Sequence, residues 1–432
     1  MRTGAAIVSY RTLISRAAAD VSGSVGGAVM SLWKASRLLV AFMAFAAPAM
    51  AFAAEPEPVA SEAVDFSAFL QELWPSAEAK GISRATFDAV FKSRLPDPRV
   101  IAATRKQPEY GKPFGAYVNA VASKDRIEEG SRKLARWAQT FDAVEEKFAV
   151  DRWILCAIWG IESSFGEEKD RYNVVVSLAT LAAAGYRDPY FRNELLVALK
   201  MMQAQIPRDR MVGSWAGAMG QPQFMPSDFT EYAVTFSGRG QPDIWTSVPD
   251  TLASMGNYLH KTGWRAGVPW GFEVSLPEGF DYGRSRGTFA QWSALAVKRA
   301  DGAAMPPTGE GIMFFPAGAS GPAFLVTENF LVIKRYNDSD VYALAVGHLA
   351  DRLRGMGRIS AAWPPDDQQL SRDERIALQT KLKELGYPVR DFQGHIDFDL
   401  RDAIREVQHK LGMLPDGHPT RALLESLDAR KL

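Results

Sequence analysis

Residues 154–166 decide the fold of this chain and read Ile-Leu-Cys-Ala-Ile-Trp-Gly-Ile-Glu-Ser-Ser-Phe-Gly. Apolar side chains recur there at helical spacing, at Ile154, Ala157, Ile158, Ile161 and Phe165. The spacing predicts a helix with one buried face, and it places the carboxyl of Glu162 at the edge of that face. Loss of hydration there raises the pKa of a carboxyl, as a general acid near neutral pH requires. A helix-surface glutamate beside the core, or one paired with an arginine, is the alternative.

Residues 213–227 form a second informative stretch, Gly-Ser-Trp-Ala-Gly-Ala-Met-Gly-Gln-Pro-Gln-Phe-Met-Pro-Ser. Three glycines and two prolines disfavour a regular helix here. Glycine lets a ligand approach the backbone, glutamine and serine offer neutral hydrogen bonds, and aromatic rings stack on sugar faces. The composition favours a cleft for a long, uncharged ligand rich in hydroxyl groups. A tight buried loop is the alternative.

A third motif begins Lys-Arg-Tyr-Asn at residue 334 and continues to Tyr342-Ala-Leu-Ala-Val. In this order, the three motifs resemble those of the B-type lytic murein transglycosylases, glycoside hydrolase family 103. The resemblance covers about residues 64–356 and implies a lysozyme-like catalytic core. It also implies an enzyme that cleaves the MurNAc–GlcNAc β-1,4 bond of peptidoglycan and leaves a 1,6-anhydroMurNAc end.

The resemblance carries functional roles onto eight positions. Glu162 matches the family's single catalytic acid/base. The remaining positions are expected to bind substrate: Tyr117, Arg187, Ser214, Gln223, Tyr336, Asn337 and Tyr342. The matches at Tyr117 and Arg187 rest on shorter motifs than the others.

A single acid/base would set this protein apart from hydrolysing glycosidases, which usually place two carboxylates across the bond. The other acids near the motifs are Glu167, Glu168, Asp170, Asp228 and Glu231. The first three lie in a charged run typical of a solvated face, and Asp228 follows Pro226-Ser227, where an acid suits a helix start. We therefore expect the substrate's own 6-hydroxyl to close the anhydro ring. A hydrolytic muramidase and a non-catalytic peptidoglycan-binding scaffold remain alternatives.

The expected fold is mainly α. Helical patterns are predicted over residues 66–80, 84–92, 117–148, 177–184, 191–203 and 341–353. Short apolar runs between prolines over 271–330 predict a small insertion containing β-strands. We expect a catalytic domain over 54–356, a Pro-rich linker over 357–370 and a C-terminal domain over 371–432.

The C-terminal region contains a loose repeat, in which Leu378-Gln379 recurs as Val407-Gln408. It resembles the small three-helix peptidoglycan-binding domain of many wall hydrolases, although residues 394–401 depart from the family's commoner Gly-Pro-x-Thr-Arg turn. Because the linker is polar and rich in proline, we expect a tethered domain that the catalytic core does not need for folding.

The N-terminal region predicts export. Lys34 and Arg37 precede an apolar run over 38–47 and then small residues, so residues 1–53 read as an extension with a secretory signal peptide. The expected location is the periplasm, with no membrane anchor, because no cysteine stands at the expected signal-cleavage site to carry a lipid. Cys156 is the single cysteine of the chain, so an internal disulfide is excluded.

Removal of residues 1–53 would leave 45 basic and 49 acidic residues, a balance that gives no electrostatic case for nucleic acid. The expected partners are peptidoglycan glycan strands, with other cell-wall enzymes as further candidates, and the expected state is a monomer. We predict no cofactor and no metal. The loop over 235–243 lacks most of the carboxylates of a calcium site, and His395 and His418 are predicted to be surface residues.

Overall fold

The computed structural model describes residues 65–92, 95–104, 113–168, 171–204 and 206–429. The predicted signal peptide lies outside these residues. The described part is mainly α-helical, as predicted. Its helices are α1 Phe66–Ala79, α2 Arg84–Phe91, α3 Pro98–Thr104, α4 Phe114–Val121, α5 Lys124–Arg136, α6 Ala138–Phe148, α7 Arg152–Ser163, α8 Val174–Ala183, α9 Tyr190–Gln203, α10 Pro226–Tyr232, α11 Val248–Lys261, α12 Phe289–Ala294, α13 Glu328–Tyr336, α14 Asp340–Leu353, α15 Arg372–Glu384, α16 Phe398–Lys410 and α17 Arg421–Ala429.

The single long helix predicted over 117–148 is wrong, because the segment contains three helices, α4, α5 and α6. Ser123 ends the first by capping the second, since its Oγ accepts a hydrogen bond from the Arg126 backbone N–H at 3.3 Å. Trp137 forms the next break, between α5 and α6. The continuous apolar pattern hides both breaks, because helices joined by one or two residues can keep the same buried side.

Helix α7 lies at the centre of the main core. Every residue from 154 to 163 is buried, including Cys156. Its end is shaped by Phe165, whose ring packs over Gly160: a Cβ added to that glycine would lie 2.6 Å from the ring. Asp151 begins the helix by accepting a hydrogen bond from the Trp153 N–H at 2.8 Å. Asp151 and the motif residue Phe165 thus define the two ends of the helix that carries Glu162.

The strands are β1 Tyr172–Asn173, β2 Val212–Gly213, β3 Gly271–Ser275, β4 Arg286–Thr288, β5 Lys298–Arg299, β6 Glu310–Phe314 and β7 Ala323–Val326. Strands β1 and β2 pair separately, whereas the predicted insertion forms an antiparallel sheet with strand order β4-β6-β7-β3-β5. Alternate residues point to opposite faces of a strand. Met313 and Leu325 therefore enter a small core of the insertion, whereas Phe314 and Phe324 join the main core.

The C-terminal segment folds as three helices, α15 to α17, around its own apolar core. It is nevertheless docked firmly on the catalytic region. The ring of Phe398, at the start of α16, belongs to the main core and lies 5.6 Å from that of Phe314 and 6.1 Å from that of Phe330. The structure therefore does not have the freely tethered domain that the sequence predicts.

The predicted linker is packed rather than extended into solvent. The ring of Trp363 stacks on Phe114 at 5.9 Å, and the Phe114 N–H donates to Asp367 Oδ2 at 2.7 Å. A Cβ added to Gly115 would lie 2.3 Å from Trp363, so this glycine is required for the contact. Composition predicted exposure here, but the aromatic ring and the buried carboxylate bind the segment to α4.

Asp351 is a partly buried carboxyl whose ionisation should oppose folding. It lines a cavity of about 380 Å³ beside the start of α7 and accepts a hydrogen bond from Trp270 Nε1 at 3.1 Å. Burial raises its pKa from 3.8 to about 7. Because the pKa of Asp351 is higher in the folded protein than in the unfolded chain, its contribution to the free energy of unfolding is fully present below pH 3.8. This contribution is lost as the pH rises through about 7.

We therefore expect Asp351→Asn to unfold at the same free energy as the wild type near pH 4 and to be more stable at pH 8, by up to about 4 kcal/mol. Denaturant unfolding at a series of pH values measures this difference. His348 has the opposite dependence, because burial lowers its pKa to about 4, but it contributes equally to both proteins. A difference that does not change with pH would contradict the expectation.

Candidate active site

Glu162 lies in the last turn of α7, where it is buried with 2% of its surface exposed. The hydroxyl of Tyr342, on α14, donates a hydrogen bond to its Oε1 at 2.6 Å. Burial and the charge of Glu162 raise the pKa of Tyr342 well above its ordinary value, so the phenol remains a protonated donor. This contact joins two of the three sequence motifs across 180 residues.

The loop over 213–227 is attached to the same helix through Gln221. Trp159 Nε1 donates to Gln221 Oε1 at 2.9 Å, and Gln221 Nε2 donates to the Trp245 carbonyl at 3.2 Å. Gly166 has a φ of +81°, and a Cβ there would meet Gln221 Oε1 at 2.5 Å. Gln221 was not singled out from the sequence, although it stands in the middle of the second motif.

Ser214 and Gln223 shape this loop from within. Ser214 Oγ accepts hydrogen bonds from the backbone N–H groups of Ala216 and Ala218, at 3.3 and 3.1 Å. Gln223 has a φ of +53° and donates from Nε2 to the Gly220 carbonyl at 2.9 Å. Both side chains are buried. The predicted sugar contacts of these residues stay a prediction, and the structure adds a role for each in holding the loop.

Tyr336 and Asn337 lie at the end of α13, where it meets the same loop. Tyr336 donates from its hydroxyl to the Pro222 carbonyl at 2.6 Å, and its ring lies 4.9 Å from that of Tyr258. Burial and the charge of Glu162 raise the pKa of Tyr336 well above its ordinary value. Asn337 is buried at the end of the helix.

The two weaker matches differ in position. Tyr117 lies on α4, is buried, and is close enough to Tyr342 to contribute to its raised pKa. Arg187 has a φ of +50°, and its guanidinium lies 5.6 Å over the ring of Tyr186. Burial lowers the pKa of His395, and the charge of Arg187 contributes to this shift, so Arg187 lies near the C-terminal domain. Tyr117 therefore belongs to the group around Glu162, whereas Arg187 lies where the two domains meet.

Among the other acids near the motifs, Glu167 and Asp228 take the positions that the sequence predicts, whereas Glu168 is half-buried. Glu167 is 73% exposed at its side chain and pairs with Lys133 at 3.1 Å, while Asp170 lies outside the described residues. Asp228 Oδ2 accepts from the Met225 N–H at 3.4 Å at the start of α10, the position that the sequence predicts. Its burial was not predicted: it is 7% exposed, and its charge contributes to the raised pKa of Tyr336.

Asp243, at the end of the loop over 235–243, and Asp250, on α11, hold this loop in place. Asp243 accepts from the backbone of Trp245 and Thr246, both at 3.0 Å, and pairs with Arg210 at 3.1 Å. Asp250 accepts from the Phe236 and Asp243 N–H groups, both at 2.9 Å. Within the described ranges, no group of three or more His, Cys, Asp or Glu side chains could hold a metal ion.

His395 and His418 are not surface residues, so that prediction is wrong. His418 is 5% exposed, and burial lowers its pKa to about 3. The side chain of His395 is 10% exposed, because it lies between Asp391 of its own domain and Asp338 of the catalytic region. Docking of the domain, which the sequence did not reveal, explains the burial of His395.

Comparison with known proteins identifies the class of this enzyme. The transglycosylase SLT domain family matches residues 65–351, and the family described as a putative peptidoglycan binding domain matches residues 371–427. The chain belongs to the transglycosylase SLT domain family and is a lytic transglycosylase. The resemblance stated from the three motifs is thereby confirmed.

Three relatives show how far the similarity extends. Membrane-bound lytic murein transglycosylase B of Escherichia coli (strain K12) is 31% identical over 278 residues, which cover 60% of this chain and 73% of the relative. The crystal structure of SltB3 from Pseudomonas aeruginosa in complex with NAG-anhNAM-pentapeptide is 43% identical, with a TM-score of 0.75, and the match covers 84% of this chain and 99% of that one. SltB1 from Pseudomonas aeruginosa is 27% identical, with a TM-score of 0.58 and coverage of 68% and 98%.

Proposed function

We propose that this enzyme cleaves the MurNAc–GlcNAc β-1,4 bond of peptidoglycan and forms 1,6-anhydroMurNAc, with Glu162 as the single acid/base. The observation that carries the proposal is the buried carboxyl of Glu162, fixed by the Tyr342 hydroxyl beside the loop over 213–227. The substrate class is supported by SltB3, which has been solved in complex with NAG-anhNAM-pentapeptide and with NAG-NAM-pentapeptide.

In the proposed reaction, Glu162 first gives its proton to the glycosidic oxygen as the bond from that oxygen to MurNAc C1 breaks. GlcNAc leaves with the proton, and the acetamido oxygen of MurNAc shields C1. The Glu162 carboxylate then takes the proton of the MurNAc 6-hydroxyl, whose oxygen bonds to C1 and closes the ring. Water is excluded kinetically, because a well-oriented intramolecular hydroxyl has an effective molarity of up to about 10⁵–10⁸ M.

A hydrolytic muramidase is the second candidate, and the burial of Asp228 near Tyr336 is the observation that favours it. A second carboxylate could activate water, as in hydrolysing glycosidases. The hydrogen bond that Asp228 accepts from the Met225 N–H supports a structural role instead, at the start of α10. Glu194 contacts the same helix start in a similar way, because it accepts hydrogen bonds from the Ser227 N–H and hydroxyl at 2.9 and 2.6 Å.

Mass spectrometry of digested sacculi separates the candidates. We expect anhydro-muropeptides as the main product and no new reducing ends, because the 6-hydroxyl replaces water. Asp228→Asn should give the same product. A digest dominated by the species heavier by one water, and lost in Asp228→Asn, would make the protein a muramidase. Sacculus binding with no release of muropeptides would indicate a non-catalytic scaffold.

We further propose that the enzyme works in the periplasm as a monomer, on glycan strands and alongside other cell-wall enzymes. The predicted signal peptide over 1–53 and the location of peptidoglycan support this assignment. Within residues 65–429, as far as the structure describes them, no helix is long and apolar enough to cross a membrane. The C-terminal domain is proposed to add a second contact with the wall, which raises the effective concentration of substrate.

A further inference from the structure

The segment over 337–342 connects the C-terminal domain to the candidate active site. It begins with Asn337 at the end of α13 and ends with Tyr342, whose hydroxyl donates to Glu162. Ser339 Oγ caps α14 by accepting from the Tyr342 N–H at 3.4 Å. Asp340 is the first residue of the helix, two positions before Tyr342. Displacement of this helix start would therefore move the Tyr342 phenol relative to Glu162.

Arg401 of the C-terminal domain holds this helix start. Its Nη2 lies 2.7 Å from Asp340 Oδ2, while Lys334 Nζ lies 2.6 Å from Asp340 Oδ1. The three side chains are 5%, 9% and 9% exposed. Although burial raises the pKa of Asp340, the charges of Lys334 and Arg401 lower it to about 2. The carboxylate is therefore ionised and held from two sides.

Arg401 is itself anchored independently of Asp340. Its Nη1 donates to the Gly417 carbonyl at 3.2 Å, and its guanidinium lies 4.9 Å over the ring of Phe314. A buried ion pair adds little net stability, because the cost of desolvation offsets the attraction, but it fixes geometry. Arg390 also reaches the segment, at 3.3 Å from Asp338, but its side chain is 53% exposed and such pairs contribute little.

We infer that Arg401 is a positioning residue for catalysis, which acts through Asp340 and Tyr342 to orient the carboxyl of Glu162. Docking of the C-terminal domain then has a second consequence besides wall binding, since it completes the support of the active site. This inference rests on the proposed role of Glu162. It assigns a function in catalysis to a side chain outside the catalytic domain.

Arg401→Met tests the inference, with Arg405→Met as its matched control. Arg405 is 4% exposed at its side chain and donates from Nη2 to the Met313 carbonyl at 3.1 Å, so it lies in the same interface without reaching the 337–342 segment. Because a misplacement of about 1 Å can cost about 10²-fold in rate, we expect Arg401→Met to lower kcat about 10–10²-fold. KM should change less than about threefold, and kcat of Arg405→Met should stay within about threefold, since neither variant removes a proposed sugar contact.

Two further variants separate positioning from general destabilisation. Arg401→Lys keeps a positive charge beside Asp340 but loses the guanidinium contacts with Gly417 and Phe314, so it should recover kcat in part, to a value above that of Arg401→Met. In a Tyr342→Phe background, Arg401→Met should lower kcat less than about threefold, because Arg401 is inferred to act through the Tyr342 hydroxyl, which that background lacks. If Met at this position prevents folding, Arg401→Gln replaces it, with an expected loss of about 3–10-fold in kcat.

Equal losses of kcat in Arg401→Met and Arg405→Met, or losses that add in the Tyr342→Phe background, would overturn the inference. An unchanged kcat in the folded Arg401 variant would overturn it too. Failure of the proposed function has a different signature: a Glu162→Gln enzyme that keeps its activity, or a hydrolytic product from the wild type. The two outcomes are therefore measured in separate experiments.

Discussion

Glu162→Gln is expected to lower the turnover of purified peptidoglycan by about 10⁴-fold or more. The amide keeps the shape of the side chain but cannot give up a proton, and positioned acid–base catalysis typically supplies about 10²–10⁴-fold. The loss should reach the upper end because one carboxyl serves as acid and then as base. Release of muropeptides, followed by chromatography and mass spectrometry, measures the effect.

Glu167→Gln is the matched control for that experiment. It makes the same chemical change five residues along the chain, at a side chain that is 73% exposed and paired with Lys133. Turnover should stay within about twofold, since exposed ion pairs contribute about 0–1 kcal/mol. Thermal unfolding should show that Glu162→Gln folds. More than a tenth of wild-type turnover in Glu162→Gln would place the chemistry elsewhere.

Deletion of residues 366–432 should leave a catalytic region that is unfolded or aggregates. Composition predicts the opposite, but the docked domain covers Phe314 and Phe330 with Phe398 and supplies Arg401 to a buried carboxylate. Removal of the domain would expose a contiguous aromatic surface, and exposed apolar surfaces of this kind promote aggregation. Circular dichroism and size-exclusion chromatography of the truncated chain test this. A monomeric product with a wild-type unfolding transition would contradict it.

Phe398→Ala isolates the aromatic part of this effect. Removing a buried phenylalanine costs about 3–5 kcal/mol, so we expect a loss of unfolding free energy in that range. Phe392→Ala is the control in the same domain. Its side chain is 46% exposed, and surface substitutions usually change stability by about 0.5 kcal/mol or less. Similar losses in the two variants would show that Phe398 does not join the domains.

The sequence predicts the local features of this protein well. Helical spacing identifies α7 and the burial beside Glu162, and the proline-bounded apolar runs identify β6 and β7. Each of these depends on residues close together in the chain. The three motifs also identify the family, because their order and composition are specific.

Contacts between residues far apart in the chain were not predicted from the sequence. The hydrogen bond from Tyr342 to Glu162 joins residues 180 positions apart, and no spacing rule predicts it. No spacing rule predicts the ion pair of Arg401 with Asp340 either, because the sequence of a polar helix favours a solvent-exposed arginine. The sequence around Phe398 likewise favours a small separate core, whereas the side chain belongs to the main core. Docking is a property of two surfaces, and neither surface is visible as a pattern in one segment.

The burial of Cys156 gives the protein an internal reporter. The thiol lies in the middle of α7, and burial raises its pKa, so neither the exposure nor the thiolate needed for exchange is present in the folded state. Alkylating reagents can reach the sulfur only when the central helix leaves its surroundings. The rate of alkylation therefore measures global unfolding of the native state without an introduced probe. Disulfide-linked dimers through this thiol can likewise form only from unfolded chains.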